Sequence, residues 1–575
     1  MLIFKQFLMI AKPYWLSRAS VLSWLLFLIT IALSLLLVQV MVQLNSWNKA
    51  FFDALAALDG PLIYDLLLKF IGIVALVVVM TVYAKWLQQW VELRWRTWLT
   101  ERFVSRWLSQ QNIYHLTLRD EPDNPDQRIA EDIKLLTTDT LSLIIGLVKS
   151  VATLSAFSVI LWRLSGDFLL PLFDGVQLSG YLLWLALLYS VIGAGVTHFF
   201  GHKLHRLFYQ QQKREANFRA NLLRSRDSAE QIALMKGQQR EKAQLDSRFS
   251  DIALNWKALM AREKKLGLVV NTYHQIAAMV PYFAAIPALM ANVITVGGLF
   301  QVKMAFMKVY ASLSWFIFRY DDLTRWSATV TRLGQFVEAM ERCEHLATDA
   351  SRPALHQQPG QGIRCQALSI LRPDGSALLS ELDLQLAAGE SMMIQGPSGL
   401  GKSTLLRTLA GIWPFYQGEY QVQPAGVLLL PQKPYLPTST LRSCLSYPHP
   451  ELADNQPYIK ALEAVGLEFL SSKLDEEAEW QARLSGGEQQ KLALARAFVV
   501  QPETLILDEA TSNLDEPTAY LLIKKLRDTL PNSVILMVSH QRHLAPLFQK
   551  TLDLTPQFEE PVRPTRQTVD TPVFA

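Results

Sequence analysis

Apolar residues cluster unevenly along the chain. Before about residue 320 they form long runs with few charges, and beyond it short strand-like runs alternate with amphipathic stretches. Six of the long runs, 20–44, 62–84, 139–164, 177–201, 267–291 and 298–319, are long enough as helices to cross about 30 Å of hydrocarbon at about 1.5 Å per residue. The first exceeds the apolar core of a signal peptide and no small-residue cleavage pattern follows it, so it is expected to remain in the mature protein. The pattern predicts an α-helical membrane domain over 1–344 and a Pro- and Gly-containing linker over 345–362. An α/β domain follows over 363–554, then a proline-rich tail over 555–575.

Basic residues set the orientation. Lys5, Lys12 and Arg18 precede the first run, and the stretches after the second and fourth runs are rich in Arg and Lys. This excess marks the cytoplasmic side, so both termini and the two long loops are expected there, in a cytoplasmic (inner) membrane. The second loop, 206–265, lacks proline and predicts helices projecting into the cytoplasm. In the first, Asn124 reads as an N-cap, Pro125 as the first helical residue and Gln127 as the capping-box partner. That short helix is expected to dock on the soluble domain.

Composition agrees with a membrane protein. Half the residues are apolar, 18% are charged and mean hydropathy is +0.15, against about 25% charged in ordinary soluble chains. A net charge of +4, from 55 basic and 51 acidic residues, is too small for a nucleic-acid binder. Cys343, Cys365 and Cys444 have no CxxC spacing and predict neither a disulfide framework nor a zinc site.

The chemistry lies in three local motifs. Gly396-Pro397-Ser398-Gly399-Leu400-Gly401-Lys402-Ser403 matches GxxxxGK[ST], follows an apolar strand and opens a helix at Thr404. Its glycines let backbone N–H groups close around phosphates, Lys402 reaches the β and γ phosphates, and Ser403 offers a hydroxyl to Mg²⁺. The strand ending at Asp508-Glu509 supplies a metal partner, Asp508, and a general base for water, Glu509. Ser485-Gly486-Gly487 opens another helix and makes a second anion site. One γ-phosphate does not need two such sites in one chain, but two chains arranged head to tail do.

With these motifs the chain resembles the ATP-binding cassette (ABC) transporters over essentially its whole length, as an exporter-type half-transporter. The resemblance implies that Gln432 contacts Mg²⁺, that Ser512-Asn513-Leu514-Asp515 is the D-loop, and that His540 contacts the γ-phosphate. Trp413-Pro414, the run from Leu430 to Pro437, and Asn124-Pro125-Asp126-Gln127-Arg128-Ile129 are similar to the subfamily D half-transporters; the last is shared with SbmA/BacA-type peptide permeases. Ala229-Glu230 with Gly237 and Glu241 resembles a second loop that contacts the cassette. The implied machine is an ATP- and Mg²⁺-dependent homodimer embedded in membrane lipid and moving a solute. Transport of peptides, cobalamin or similar hydrophilic compounds is implied; the exporter-type architecture points outward and the permease resemblance to uptake, and export of lipid or acyl-CoA and a membrane-anchored regulatory ATPase stay open. Asn271, His274 and Gln275 share one helix face, as a polar cavity wall or as inter-helix hydrogen bonds. No aromatic residue lies between Phe336 and Trp413, where the family stacks one on adenine, which leaves Arg372 as the candidate platform.

Overall fold

The computed structural model describes residues 2–118, 125–165, 179–315, 319–347, 362–422 and 426–555. Asn124, most of the expected linker and the tail beyond Thr555 lie outside them. The chain divides into two compact units: Met1–Ser105 with Asn124–Val337, and Arg106–Asp123 with Glu338–Ala575.

The first unit is helical. Its long helices include Val21–Ala56, Gly60–Leu108, Ile133–Ser165, Tyr181–Asp227, Gln238–Met290 and Val296–Leu313. Among the described residues, three stretches, Arg18–Ala56, Gly60–Leu108 and Pro125–Ser165, are long and apolar enough to cross a membrane, and Tyr181–Val196 is a shorter apolar one. The predicted run 267–291 falls within Gln238–Met290 up to its last residue, and 298–319 begins within Val296–Leu313. The stretch 206–265 is helical as expected, interrupted by the short helix Ala229–Leu234.

Packing in this unit is specific. Phe157, Leu161, Leu182, Ala186, Ala285, Val302, Phe306 and Val309 form a buried cluster. Helix Val296–Leu313 starts at Thr295, whose side chain accepts from Gly298 N, while Asp53 Oδ1 accepts from Gly297 N at 2.7 Å. These bonds satisfy N–H groups that a helix start leaves open. A Cβ on Gly297 would lie 2.0 Å from Lys49 O, so only glycine allows this approach. Helix Ile133–Ser165 and Asp132 just before it pair with the later segments through Arg332 on Asp132 (2.8 and 2.5 Å), Arg325 on Asp139 (3.1 Å) and Trp326 on Thr140 (2.8 Å). Ser150 Oγ donates to Ser312 O at 3.1 Å. Asn271 donates to Gly267 O of its own helix at 2.8 Å, and His274 lies against Tyr310.

The second unit is α/β. Its strands are β1 (Ile363–Leu371), β2 (Ala377–Leu386), β3 (Ser391–Gln395), β4 (Tyr416–Gln421), β5 (Val427–Leu430), β6 (Ser439–Thr440), β7 (Glu477–Ala478), β8 (Thr504–Asp508), β9 (Val534–Val538) and β10 (Lys550–Asp553). A parallel sheet runs β10-β3-β9-β8-β5, an antiparallel one β2-β1-β4, and β6 pairs with β7. Strands β8 and β9 are buried along their whole length, as expected for continuous apolar runs in a parallel sheet covered on both faces. In such sheets ligands bind beyond the carboxyl ends of the strands.

The short helix Asn112–Thr117 belongs to the soluble unit and Pro125–Gln127 to the membrane unit. Tyr114 and Leu118 pack against the cluster formed by β1–β4 residues and the helix Lys402–Leu409. His115 Nε2 lies 3.2 Å from Ile412 O. Arg106 grips Glu344 with two bonds of 2.7 Å. Gln127 donates to Glu131 at 3.1 Å, one turn on. Asn112–Thr117 has no side-chain cap, and Gln111 before it takes a left-handed φ of 61°. Tertiary contacts hold this helix, which is why local cap signals pointed elsewhere.

Candidate nucleotide-binding site

The phosphate loop joins β3 to the helix Lys402–Leu409. Gly396, Gly399 and Gly401 have φ of 141°, 88° and 90°, conformations that cost L side chains strain and let successive N–H groups turn inward. A Cβ on Gly401 would also meet Leu378 of β2 at 2.6 Å. Ser398 lies in the turn and Thr404 in the first helical turn, where its carbonyl accepts from Thr408 Oγ1 at 2.9 Å.

Lys402 is buried, and its Nζ donates to Gly396 O at 2.6 Å and Pro397 O at 2.9 Å. Burial lowers its pKa, while Glu509 and Asp508 pull it upward. Ser403 Oγ donates to Asp508 Oδ1 at 2.9 Å, so the phosphate loop and the β8 end meet directly. Glu509 follows β8 with a φ of 48°, a backbone strain of about 1–3 kcal/mol for a non-glycine residue, of a kind that clusters at functional sites. Its carboxylate accepts from Gln432 Nε2 at 2.9 Å and lies 3.2 Å from His540 Nε2. That ring nitrogen is 3.4 Å from Lys402 Nζ. Gly396, Pro397, Ser539 and His540 also border a cavity of about 330 Å³. Lys402, Ser403, Gln432, Asp508, Glu509 and His540 thus meet at the carboxyl ends of β3, β8 and β9.

Ser485, Gly486 and Gly487 open the helix Gly486–Val500. Glu488 Oε2 accepts from Ser485 N at 2.9 Å and Oγ at 2.7 Å, closing a reciprocal capping box. Those bonds hold the Glu488 carboxyl below its usual pKa. Gly486 and Gly487 abut Asn513, 3.2 Å from where each Cβ would stand. Arg372 is exposed at the tip of the β1–β2 hairpin, with Nη1 donating to Ser376 Oγ at 3.0 Å.

Sequence reasoning missed Gln490. Its buried side chain donates to Ser512 Oγ at 3.0 Å and to Gln432 O at 3.4 Å, and accepts from Asn513 N at 2.8 Å. It therefore ties the segments at Gln432 and Asn513 to the helix that Ser485 caps. The available signal was a glutamine on the apolar face of that helix, one turn before Ala493 and Leu494. Tyr114 was missed as well. Burial raises its pKa, and the nearby Arg407 guanidinium opposes that rise.

Two family models match this chain: "ABC transporter transmembrane region 2" over residues 10–290 and "ABC transporter" over 379–512. The Escherichia coli inner membrane ABC transporter ATP-binding protein YddA is 35% identical, over 93% of this chain and 95% of its own length. A lysosomal cobalamin transporter of Mus musculus is 30% identical, over 73% of this chain and 74% of its own. The structure of a bacterial Atm1-family ABC exporter with ATP bound aligns with a TM-score of 0.65 over 91% of each chain, at 19% identity, which speaks to the fold alone. The chain belongs to the ABC transporter family: it is a membrane protein with a helical domain fused to an α/β nucleotide-binding ATPase, and ATP hydrolysis drives its transport across the membrane.

Proposed function

We propose that two copies of this chain form the transporter in a cytoplasmic membrane, with both termini and both cassettes in the cytoplasm. Each ATP lies between the Lys402 loop of one copy and Ser485-Gly486-Gly487 of the other. Ser403, Gln432 and Asp508 hold Mg²⁺, which supplies charge neutralisation on the phosphates. Glu509 accepts the proton of the attacking water, oriented by Gln432, while His540 reaches the γ-phosphate. Arg372 offers a planar cation to the adenine face. The observation that carries this reading is the convergence of Gln432 and His540 on the strained Glu509 carboxylate, next to the Lys402 and Ser403–Asp508 contacts. A base already oriented by two partners loses little freedom on reaching the transition state.

Closure of the cassettes needs a route to the spans. The segment Asn112–Thr117 touches the end of the phosphate-loop helix through Ile412 and Arg407. It is the first transmission element. The loop at Ala229–Leu234, with Leu234 75% and Met235 81% exposed, offers an apolar tip to the partner's cassette. A shared site gives the open and closed states different nucleotide affinities, as coupling requires. The cargo is a hydrophilic solute such as a peptide or cobalamin, supported by similarity to a cobalamin transporter. Purified protein in vesicles tests the reading: ATP-dependent movement of labelled peptide or cobalamin, abolished by Glu509→Gln, supports it. Hydrolysis without flux of any offered solute would refute it.

A further inference from the structure

The membrane unit carries two cations at a depth where hydrocarbon does not tolerate them. Lys149 and Lys308 each lie ten residues inside an apolar run, counted from Asp139 and Gly298. At about 1.5 Å per residue that is about 15 Å, half the hydrocarbon thickness. Their helices, Ile133–Ser165 and Val296–Leu313, are held antiparallel by the Ser150–Ser312 bond of 3.1 Å. Lys308 lies within electrostatic reach of Lys149.

Among the other charges in these runs, Arg163 is exposed beside the end of its run, and the rest have internal partners. Asp65 is taken by Lys69 at 2.6 Å and Asp139 by Arg325 at 3.1 Å, and Lys303 sits over the Tyr282 ring at 5.3 Å. Among the described residues, no carboxylate pairs with the ammonium of Lys149 or Lys308. Lys149 is exposed on this chain and Lys308 half-buried. Asn45 adds a third unsatisfied group. It is fully buried, and neither amide atom has a hydrogen-bond partner. The contacts Asp53–Gly297 and Asn48–Met304 fix an antiparallel register that brings Asn45 level with residues 307–308.

A structural cation in this bundle is paired, as Arg325 and Arg332 are. Unpaired like charges at mid-depth must face water and draw an external counter-charge. We propose that Lys149 and Lys308 form an anion-binding subsite on the translocation path, for a solute bearing carboxylate or phosphate groups. The assignment rests on the transport reading and narrows its cargo.

Local potential tests it without knowledge of the cargo. Cys343, Cys365 and Cys444 are buried, so Ala311→Cys places a reporter thiol at an exposed position, three residues from Lys308 and on its face. Its reaction rates with 2-sulfonatoethyl and 2-trimethylammonioethyl methanethiosulfonate are measured in phosphatidylcholine vesicles and normalised to a free thiol. The anionic reagent should be favoured about tenfold. The preference should fall to about one in Lys149→Gln/Lys308→Gln and persist in Lys149→Arg/Lys308→Arg. Equal rates, an unchanged ratio in the glutamine variant, or no reaction with either reagent would overturn the subsite. Phosphatidylglycerol vesicles separate the sources of anion: a solute subsite keeps its preference, whereas loss there gives the site to lipid headgroups and overturns the solute assignment. Failure of this test with Glu509-dependent flux intact removes the subsite and leaves the transport reading; absent flux with the anion preference intact does the reverse.

Discussion

The Arg106–Glu344 pair sets how firmly the segment Asn112–Thr117 is held to the soluble unit. Arg106 donates two bonds of 2.7 Å to one carboxylate, with the side chains 23% and 28% exposed. Hydrogen bonds to charged groups contribute about 1.5–3 kcal/mol, and partial exposure reduces that through solvent and salt screening. A coupling of about 1–2 kcal/mol follows, a factor of about 5–30 in a local opening equilibrium. Arg106→Met removes the Glu344 bonds and a 3.5 Å contact with Glu341, while Asn112 keeps its 2.9 Å bond to the backbone carbonyl of residue 106. A double-mutant cycle with Glu344→Gln isolates the pair. Hydrogen exchange at the Leu118 amide, bonded to Tyr114 O at 3.3 Å, reports the opening directly. Exchange should rise about 5–30-fold in either single variant, with little more in the double. Hydrolysis should survive while flux falls. Unchanged exchange, or fully additive variants, would show that other contacts hold this segment.

Glu509→Gln should bind ATP yet hydrolyse it at least about 10²-fold more slowly, because an amide cannot take the proton; near-normal turnover removes Glu509 from the base role. Ser485→Arg and Lys402→Ala chains should each be inactive, and mixing them should restore some activity through the one intact composite site. Photo-crosslinking of Ser485 to nucleotide held by its own chain would refute the head-to-tail arrangement. Arg372→Ala should raise the KM for ATP several-fold with kcat nearly unchanged, and wild type should discriminate weakly between ATP and GTP; a hundredfold preference for ATP would mean another group reads adenine. The depressed Glu488 carboxyl contributes to helix capping above its unfolded pKa of about 4.3 and loses that contribution as pH falls through its lower folded value. Glu488→Gln should therefore flatten the acid limb of the unfolding curve, and an unchanged limb would exclude the capping box as a contributor.

What was legible in the sequence was contiguous. The phosphate loop, the Asp508-Glu509 strand end and Ser485-Gly486-Gly487 each concentrate their chemistry within a few neighbouring residues. Each also sits at an element boundary that apolar patterning marks. The contacts between them were not legible. Gln490 reaches Ser512, Asn513 and Gln432 only because the helix it rides packs beside both segments, and nothing next to it in sequence announces this. The packing of Asn112–Thr117 escaped for the opposite reason. Asn124-Pro125 carries the propensity signal, yet Tyr114, His115 and Leu118 carry the tertiary contacts, and packing outweighs propensity in a helix of six residues.

The site's hydrogen bonds also imply how nucleotide engages it. Lys402 bonds two loop carbonyls, Ser403 bonds Asp508, Glu509 bonds Gln432, and Ser485 bonds Glu488. Each group proposed to meet phosphate, metal or water already has an internal partner. Engagement therefore exchanges bonds rather than adding them, and exchanged hydrogen bonds net only about 0.5–1.5 kcal/mol each. The two halves of the composite site differ in what they give up. At the Lys402 loop, a cation leaves neutral carbonyls for a polyanion, a gain in charge pairing. At Ser485, a hydroxyl must leave a carboxylate for a phosphate while both anions stay close, which is repulsive at short range. The Lys402 half should therefore fill first and the Ser485 half close late, with Glu488 as the residue that separates the two steps.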